Sequence, residues 1–292
     1  MEKGGRIHTS NDSGANWTPR ESERAWWAVA SSADGSNLVA AVQGGRIYTS
    51  TDSGVSWTAR ESDRNWVASI ASSADGSKLV ALEWDGRIYT STDSGANWTA
   101  RESNRQWNSV ASSADGSKLA ATVDGGQIYT STDSGVSWTA RESNRQWYKI
   151  ASSADGGKLV AVEHGGRIYT SSDSGVSWTA RESDRNWYSV ASSADGNKLV
   201  ASVWDDQLYT SSDSGVSWTV RDSNRLWAHV ASSADGSKMV ATGWNTWRTS
   251  TATTTAGTGG SIGGTAVDAI ELQYVGDGMF TVLSHTGSLS IQ

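Results

Sequence analysis

The chain has 292 residues, a net charge of −7, no cysteine, one proline and 17 tryptophans. The lack of cysteine excludes disulfides, thiolate metal sites and thiol nucleophiles, and the acidic balance opposes nucleic-acid binding, which needs a basic stripe to neutralise phosphates. No run of about 18 apolar residues is available for membrane insertion, and abundant Gly, Ser, Thr and Trp beside scarce Met and Phe favour strands and turns over helices.

The chain starts Met1-Glu2-Lys3-Gly4-Gly5-Arg6, without the apolar core of a signal peptide. It enters a strand pair at once, which is expected of a fragment or a trimmed form of an exported chain. That pair, Arg6 to Ser10 and Asn16 to Arg20, encloses the pattern Ser-x-Asp-x-Gly-x-x-Trp, which recurs at Ser50–Trp57, Ser91–Trp98, Ser131–Trp138, Ser171–Trp178 and Ser211–Trp218. The motif tryptophans are 40 residues apart, except for 41 between Trp57 and Trp98. A period of that length signals a propeller or a solenoid.

Each unit predicts four strands of about five residues, A to D. In the third, Trp107 to Ala111 is A, Lys118 to Val123 is B, Gln127 to Ser131 is C, and Trp138 to Arg141 is D. Asp-Gly closes A to B, Gly-Gly or Asp-Gly commonly closes B to C, and Asp-x-Gly closes C to D, so neighbouring strands run antiparallel. Trp107 and Val110, three apart, are expected on opposite sheet faces, which makes both faces apolar. A ring of radially packed sheets covers both faces and leaves short edges, whereas a β-helix would need parallel pairing between coils. The extra residue between Trp57 and Trp98 falls at the entry to a strand A and predicts a β-bulge near Trp66 or Val67.

Asp-Gly turns of the A–B type occur at Asp34, Asp75, Asp115, Asp155, Asp195 and Asp235, and a seventh at Asp277. In the tail, Phe280 to Leu283 matches strand B, Thr286-Gly287 the next turn, and Ser288 to Gln292 strand C. Thr246 to Thr265 lacks the motif's Asp and Trp and reads as loop or weak edge strand. The expected fold is therefore all-β: a seven-bladed β-propeller of four-stranded antiparallel blades forming one domain over residues 1–292. Residues 1–20 supply the C–D hairpin of the closing blade, 21–245 the repeated blades, and 246–292 a divergent last repeat. Either 6–10 or 288–292 then provides that blade's C strand.

In a tight C–D turn an Asp carboxylate can accept backbone N–H groups, Gly can take a positive φ, and Trp can fold over the hairpin. That gives a structural role to Asp12, Asp52, Asp93, Asp133, Asp173 and Asp213 and to Trp17, Trp57, Trp98, Trp138, Trp178 and Trp218. These residues resemble the Asp-box, or bacterial neuraminidase repeat, over Gly4 to about Gly243. The resemblance implies a β-propeller of the broad group that includes sialidases, sortilin-like receptors, photosystem II assembly-factor-like proteins and several glycoside hydrolases. It also implies that the motif lies away from the active face.

In an up-and-down blade the A–B and C–D turns share one end, and the B–C turns and D–A links share the other. The second end carries Arg20 to Arg24, Arg60 to Arg64 and the later link arginines Arg105, Arg145, Arg185 and Arg225. Two readings of them stand: Arg–Glu cross-links between blades, or a ring binding carboxylate or phosphate groups. The copies diverge most beside this end. One B–C register holds Gln43, Trp84, Asp124, His164, Trp204 and Trp244, and the position after the strand-A Trp holds Trp27, Asn108, Tyr148, Tyr188 and Ala228. The expected ligand-binding set is therefore Arg64, Arg105, Arg145, Arg185, Arg225, Trp84, His164, Trp204, Trp244, Tyr148 and Tyr188, suited to sugar stacking or protein contact.

A glycosidase needs two carboxyl groups in unlike environments, yet Glu61, Glu102, Glu142 and Glu182 repeat one environment. Only Glu83, Glu163, Asp124, Asp205 and Asp206 break the symmetry. His8, His164, His229 and His285 show no ligand spacing, so no metal, cofactor or His-based triad is expected. The expected function is non-catalytic recognition of a glycan or protein. The alternatives are a glycoside hydrolase or lyase of the sialidase-like superfamily, and a scaffold with recently amplified repeats. A secreted or cell-surface bacterial setting fits, with no nucleic-acid partner, no membrane insertion and a monomer by default.

Overall fold

A computed structural model describes residues 5–12, 14–66 and 69–244, together with strands between 254 and 291. Among the described residues every regular element is a strand, and no helix is long and apolar enough to cross a membrane. The chain divides into two compact units, Met1–Trp244 and Asn245–Gln292.

In the first unit the long strands pass from one blade to the next. Thr99–Ser112 begins as strand D, pairing Thr99, Ala100 and Arg101 with Thr90, Tyr89 and Ile88. It ends as strand A of the following blade, pairing Val110, Ala111 and Ser112 with Ala121, Ala120 and Leu119. Leu119–Ser131 then carries B in its first half and C in its second. In the last complete blade B and C are separate strands, Leu199–Val203 and Asp206–Ser211, paired antiparallel. Blades headed by Trp26, Trp107, Trp147 and Trp187 are complete among the described residues, and that headed by Trp66 is described apart from residues 67–68. The hairpin Ile7–Thr9/Thr18–Arg20 precedes them, and an A–B pair ending in Met239–Trp244 follows.

Blades with a neighbour on each side are covered on both faces, but not in the way the three-residue spacing predicts. Trp107 and Val110 lie in one core cluster with Ala121 and Val123. The register jumps from Val123↔Trp107 to Thr122↔Ser109, so Asn108 bulges out and its neighbours change face parity. Ala111 and Ala120 fill the opposite face against Trp147 and Ile150 of the next blade. Equivalent bulges follow Trp26, Trp147, Trp187 and Trp227. Val67, where the inserted residue predicted a bulge, lies outside the described residues.

The two ends of the blades are distinct. At one end the amide of Ser134 in the C–D turn donates to the Ser117 carbonyl of the A–B turn at 2.9 Å. Successive A–B turns are linked there by Ala74, Ala114 and Ala154 amides donating to the Ala114, Ala154 and Ala194 carbonyls, each at 2.7 Å. At the other end Asp124 and Gly126 of a B–C turn pair with Gln146 and Arg145 of the D–A link.

In the second unit Ala269–Gly276 pairs with Met279–Thr286, a hairpin across the expected turn position at 277–278, whose residues lie outside those described. Ser290–Ile291, in the stretch expected to be strand C, pairs instead with Gly260–Gly263, which also pairs with Thr254–Ala256. The stretch 246–265 thus contributes two paired strands where the sequence predicts loop or weak edge.

Candidate functional site

The Asp motif satisfies its own turn. In the fourth copy the Ser131 hydroxyl donates to Asp133 Oδ1 at 2.8 Å, and the Gly135 amide donates to Ser131 Oγ at 2.9 Å. The Ser137 amide and hydroxyl donate to the Asp133 carboxylate at 2.9 and 2.6 Å, while Trp138 Nε1 donates to the Gly135 carbonyl at 3.1 Å. The same closure recurs around Asp12, Asp52, Asp93, Asp173 and Asp213, with Trp17, Trp57, Trp98, Trp178 and Trp218. Hydrogen bonds from the residue four positions on, Asn16 or Ser56 for example, hold these carboxyls down at about 2.

At the opposite end each link arginine sits on an aromatic ring of the blade it leads into. The guanidinium carbons of Arg64, Arg105 and Arg145 lie 4.7 Å from the ring centres of Tyr89, Tyr129 and Tyr169, and that of Arg185 lies 5.0 Å from Tyr209. Arg225 lies 5.6 Å from the Trp227 ring. Beneath each tyrosine, the strand-A Trp meets it edge-on, at 5.1 Å for Trp107 and Tyr129. Glu61, Glu102 and Glu142, all at positive φ, fold the link so that their carboxylates reach Arg64, Arg105 and Arg145 at 3.3, 3.7 and 3.4 Å. A second carboxylate from the B–C turn joins at Arg64 and Arg145, namely Glu83 and Glu163 at 3.9 and 3.5 Å, while Arg185 pairs with Asp206 beside the corresponding B–C turn at 3.1 Å. Arg64, Arg105, Arg145 and Arg185 are inter-blade clamps, stacked on one side and paired on the other, while their buried Nε atoms find no partner.

Tyr89 and Tyr169 donate their hydroxyls to Glu83 and Glu163 at 3.3 Å. The rings are nearly sealed beneath the arginines, and burial, then the Glu charge, raises both phenol pKa values. A buried phenol disfavoured as phenolate occurs twice in one arrangement.

The divergent positions do come together across three blades. The Tyr148 ring centre is 5.7 Å from His164 and 4.7 Å from Tyr188, and Tyr188 is 4.9 Å from Trp204 and 6.0 Å from His229. Burial first, then a hydrogen bond with Tyr188, raises the Tyr148 pKa, with a smaller push from the Asp124 charge. Trp84 stands elsewhere on this end, part-buried in a strand where it pairs with Gln106, and Trp244 pairs with Leu226. Lys149, absent from the sequence-based set, follows Tyr148 directly; its burial lowers the ammonium pKa, and its charge adds to the burial that lowers the pKa of His229. The signal was present in the repeat, since this position otherwise holds Ala28, Ser69, Ser109, Ser189 and His229.

No protein-family model and no curated protein matches the chain. Solved structures do. The GH74 enzyme of Niastella koreensis superposes with a TM-score of 0.58 at 24% identity, over 75% of this chain and 35% of that one. YCF48 from Cyanidioschyzon merolae superposes with a TM-score of 0.60 at 16% identity, over 77% and 82% of the two chains. YCF48 bound to D1 peptide gives 0.60 at 19% identity, over 78% and 81%. The repeats form a β-propeller. The chain spans about a third of the GH74 enzyme's length, and likeness at such identities conveys the fold alone.

A cavity of about 260 Å³ lies at the Asp-motif end between the fourth and fifth blades, beside Lys158, Arg181, Leu199 and Ser214. Elsewhere the equivalent lysines Lys78, Lys118 and Lys198 donate to the Asp115, Asp155 and Asp235 carbonyls across the blade gap. Lys158 donates to Asn197 and Ser214 instead. The cavity sits where this lysine bond differs and is smaller than the roughly 300 Å³ typical of small-molecule pockets. Among the described residues no group of three or more His, Asp or Glu is placed to hold a metal ion.

Proposed function

We propose that this chain is a non-catalytic binding propeller whose B–C and D–A end recognises a glycan. The convergence of Tyr148, Tyr188 and Trp204, from positions where the repeats otherwise disagree, carries this reading. Adjacent aromatic faces offer the broad apolar surface on which sugar rings stack, and hydroxyl and imidazole groups at the margin supply hydrogen bonds. The link arginines, engaged by an aromatic ring and, from Arg64 to Arg185, by a carboxylate, support the platform rather than contact the ligand. We take the ring to be seven-bladed and closed by the N-terminal hairpin, and the setting to be a bacterial exterior.

The rival readings have footholds among the structural neighbours: GH74 is an enzyme, and a YCF48 structure holds a peptide. A glycan array is the deciding experiment. Retention of a defined sugar class, weakened by Tyr188→Asn, supports the proposal, while silence across all sugars with a protein recovered by pull-down replaces it with protein recognition. Turnover of a chromogenic glycoside, abolished by Glu83→Gln or Glu163→Gln, replaces it with catalysis.

A further inference from the structure

Lys149 is placed where four of the other repeats carry Ala or Ser and one carries His229. In two of them the serine there closes a gap between blades: Ser109 Oγ accepts the Ile150 amide at 3.4 Å, and Ser189 Oγ accepts the Val230 amide at 3.3 Å. An ammonium has no acceptor and cannot perform that task. Lys149 is part-buried opposite Val162, in the wall between the fourth and fifth blades, and it makes no hydrogen bond or ion pair with the described residues. A cation removed from water without a counter-charge is costly, and its environment holds it less basic than usual.

The neighbouring rings define what could supply the counter-charge. Tyr148, adjacent in sequence, lies 4.7 Å from Tyr188 with the rings tilted at 44°, and Tyr188 continues to Trp204 at 4.9 Å. A pyranose lies with its C–H face on aromatic rings, and a carboxylate carried on that sugar accepts a charge-assisted hydrogen bond from an ammonium within its reach. We propose that Lys149, with Tyr148, Tyr188 and Trp204, forms a subsite for an acidic pyranose, a hexuronic acid unit of a polysaccharide. This rests on the glycan reading above and narrows it to one chemical class.

Calorimetric titration with tetragalacturonic acid and with its fully methyl-esterified form tests the subsite, because the ester keeps the ring shape and loses the charge. The wild-type protein is expected to bind the acid at least tenfold more tightly than the ester. Lys149→Ser installs the residue found at three equivalent positions and should fold normally by circular dichroism. It should bring the acid down to the affinity of the ester and leave the ester unchanged. Tyr188→Asn, borrowed from Asn108, should weaken both ligands. Equal wild-type affinity for acid and ester, or a preference that survives Lys149→Ser, overturns the subsite while the glycan reading stands. Failure of the wild type to bind either tetrasaccharide also overturns it, and a silent glycan array alongside removes the reading on which it rests.

Discussion

Each turn Asp carboxylate at the Asp-motif end of the blades accepts donors of its own tight turn. Asp52 in its C–D turn and Asp34 in its A–B turn are both held at about 2, against an ordinary 3.8, by hydroxyl and amide donors of their own turns. A carboxyl depressed in the folded state stabilises it above the unfolded pKa, and that stabilisation disappears as pH falls through the folded value. The protein should therefore keep its tryptophan fluorescence and far-ultraviolet signal at pH 5 and lose both cooperatively between about pH 3.8 and 2; unfolding complete at pH 4.5 would contradict this. Gly135 serves the same turn differently, at φ +81° with room for no side chain: a Cβ would lie 2.7 Å from Thr90 Cγ2 of the preceding blade. Gly135→Ala should cost about 1–3 kcal/mol in urea unfolding, from left-handed strain joined to that contact.

At the scale of the element, the D–A link couples one blade to the next. Its arginine pairs by backbone with the blade it leaves, as Arg105 does with Gly86, and stacks on the tyrosine of the blade it enters, as on Tyr129. Arg105→Lys keeps the charge and loses the planar stack, so a loss of about 0.5–1 kcal/mol is expected from denaturation curves. A variant as stable as the parent would show that the Glu102 ion pair alone holds the link. The bulge after each strand-A tryptophan matters as much, because it puts Trp107 and Val110 on one face and leaves Ser109 and Ala111 for the other. That arrangement aims position 149 at the neighbouring blade.

For the molecule as a whole, stability in a repeat array is carried by contacts between neighbours. The end repeats show it by exposure: Val240 is 61% exposed where the equivalent Val200 is 3%, and Val29 is 59% exposed where Val190 is 7%. The N-terminal hairpin already covers part of one flank, since Ile7 packs against the cluster of Trp26, Val42 and Tyr48. Deleting residues 1–20 should uncover that cluster and lower the melting temperature by several degrees, at about 2–4 °C per kcal/mol for a chain of this size. An unchanged melting curve would deny the hairpin any role in holding the propeller.

The repeat period, the strand order and the turn at each end were legible in the sequence, because each depends on residues within a few positions of one another. Asp133, Gly135 and Trp138 belong to a single turn, and their spacing carries its chemistry. The clamped state of the arginines was not decided there, since cross-link and anion ring fit the same residues equally well. Nor was the aromatic platform: Tyr148 and Tyr188 lie 40 residues apart, and only the packing of adjacent blades sets their rings 4.7 Å from each other. The face parity of strand A escaped for a related reason, because a bulge changes parity without changing a residue. Local backbone chemistry thus set the architecture, and contact between blades selected which of the divergent side chains meet beside Lys149.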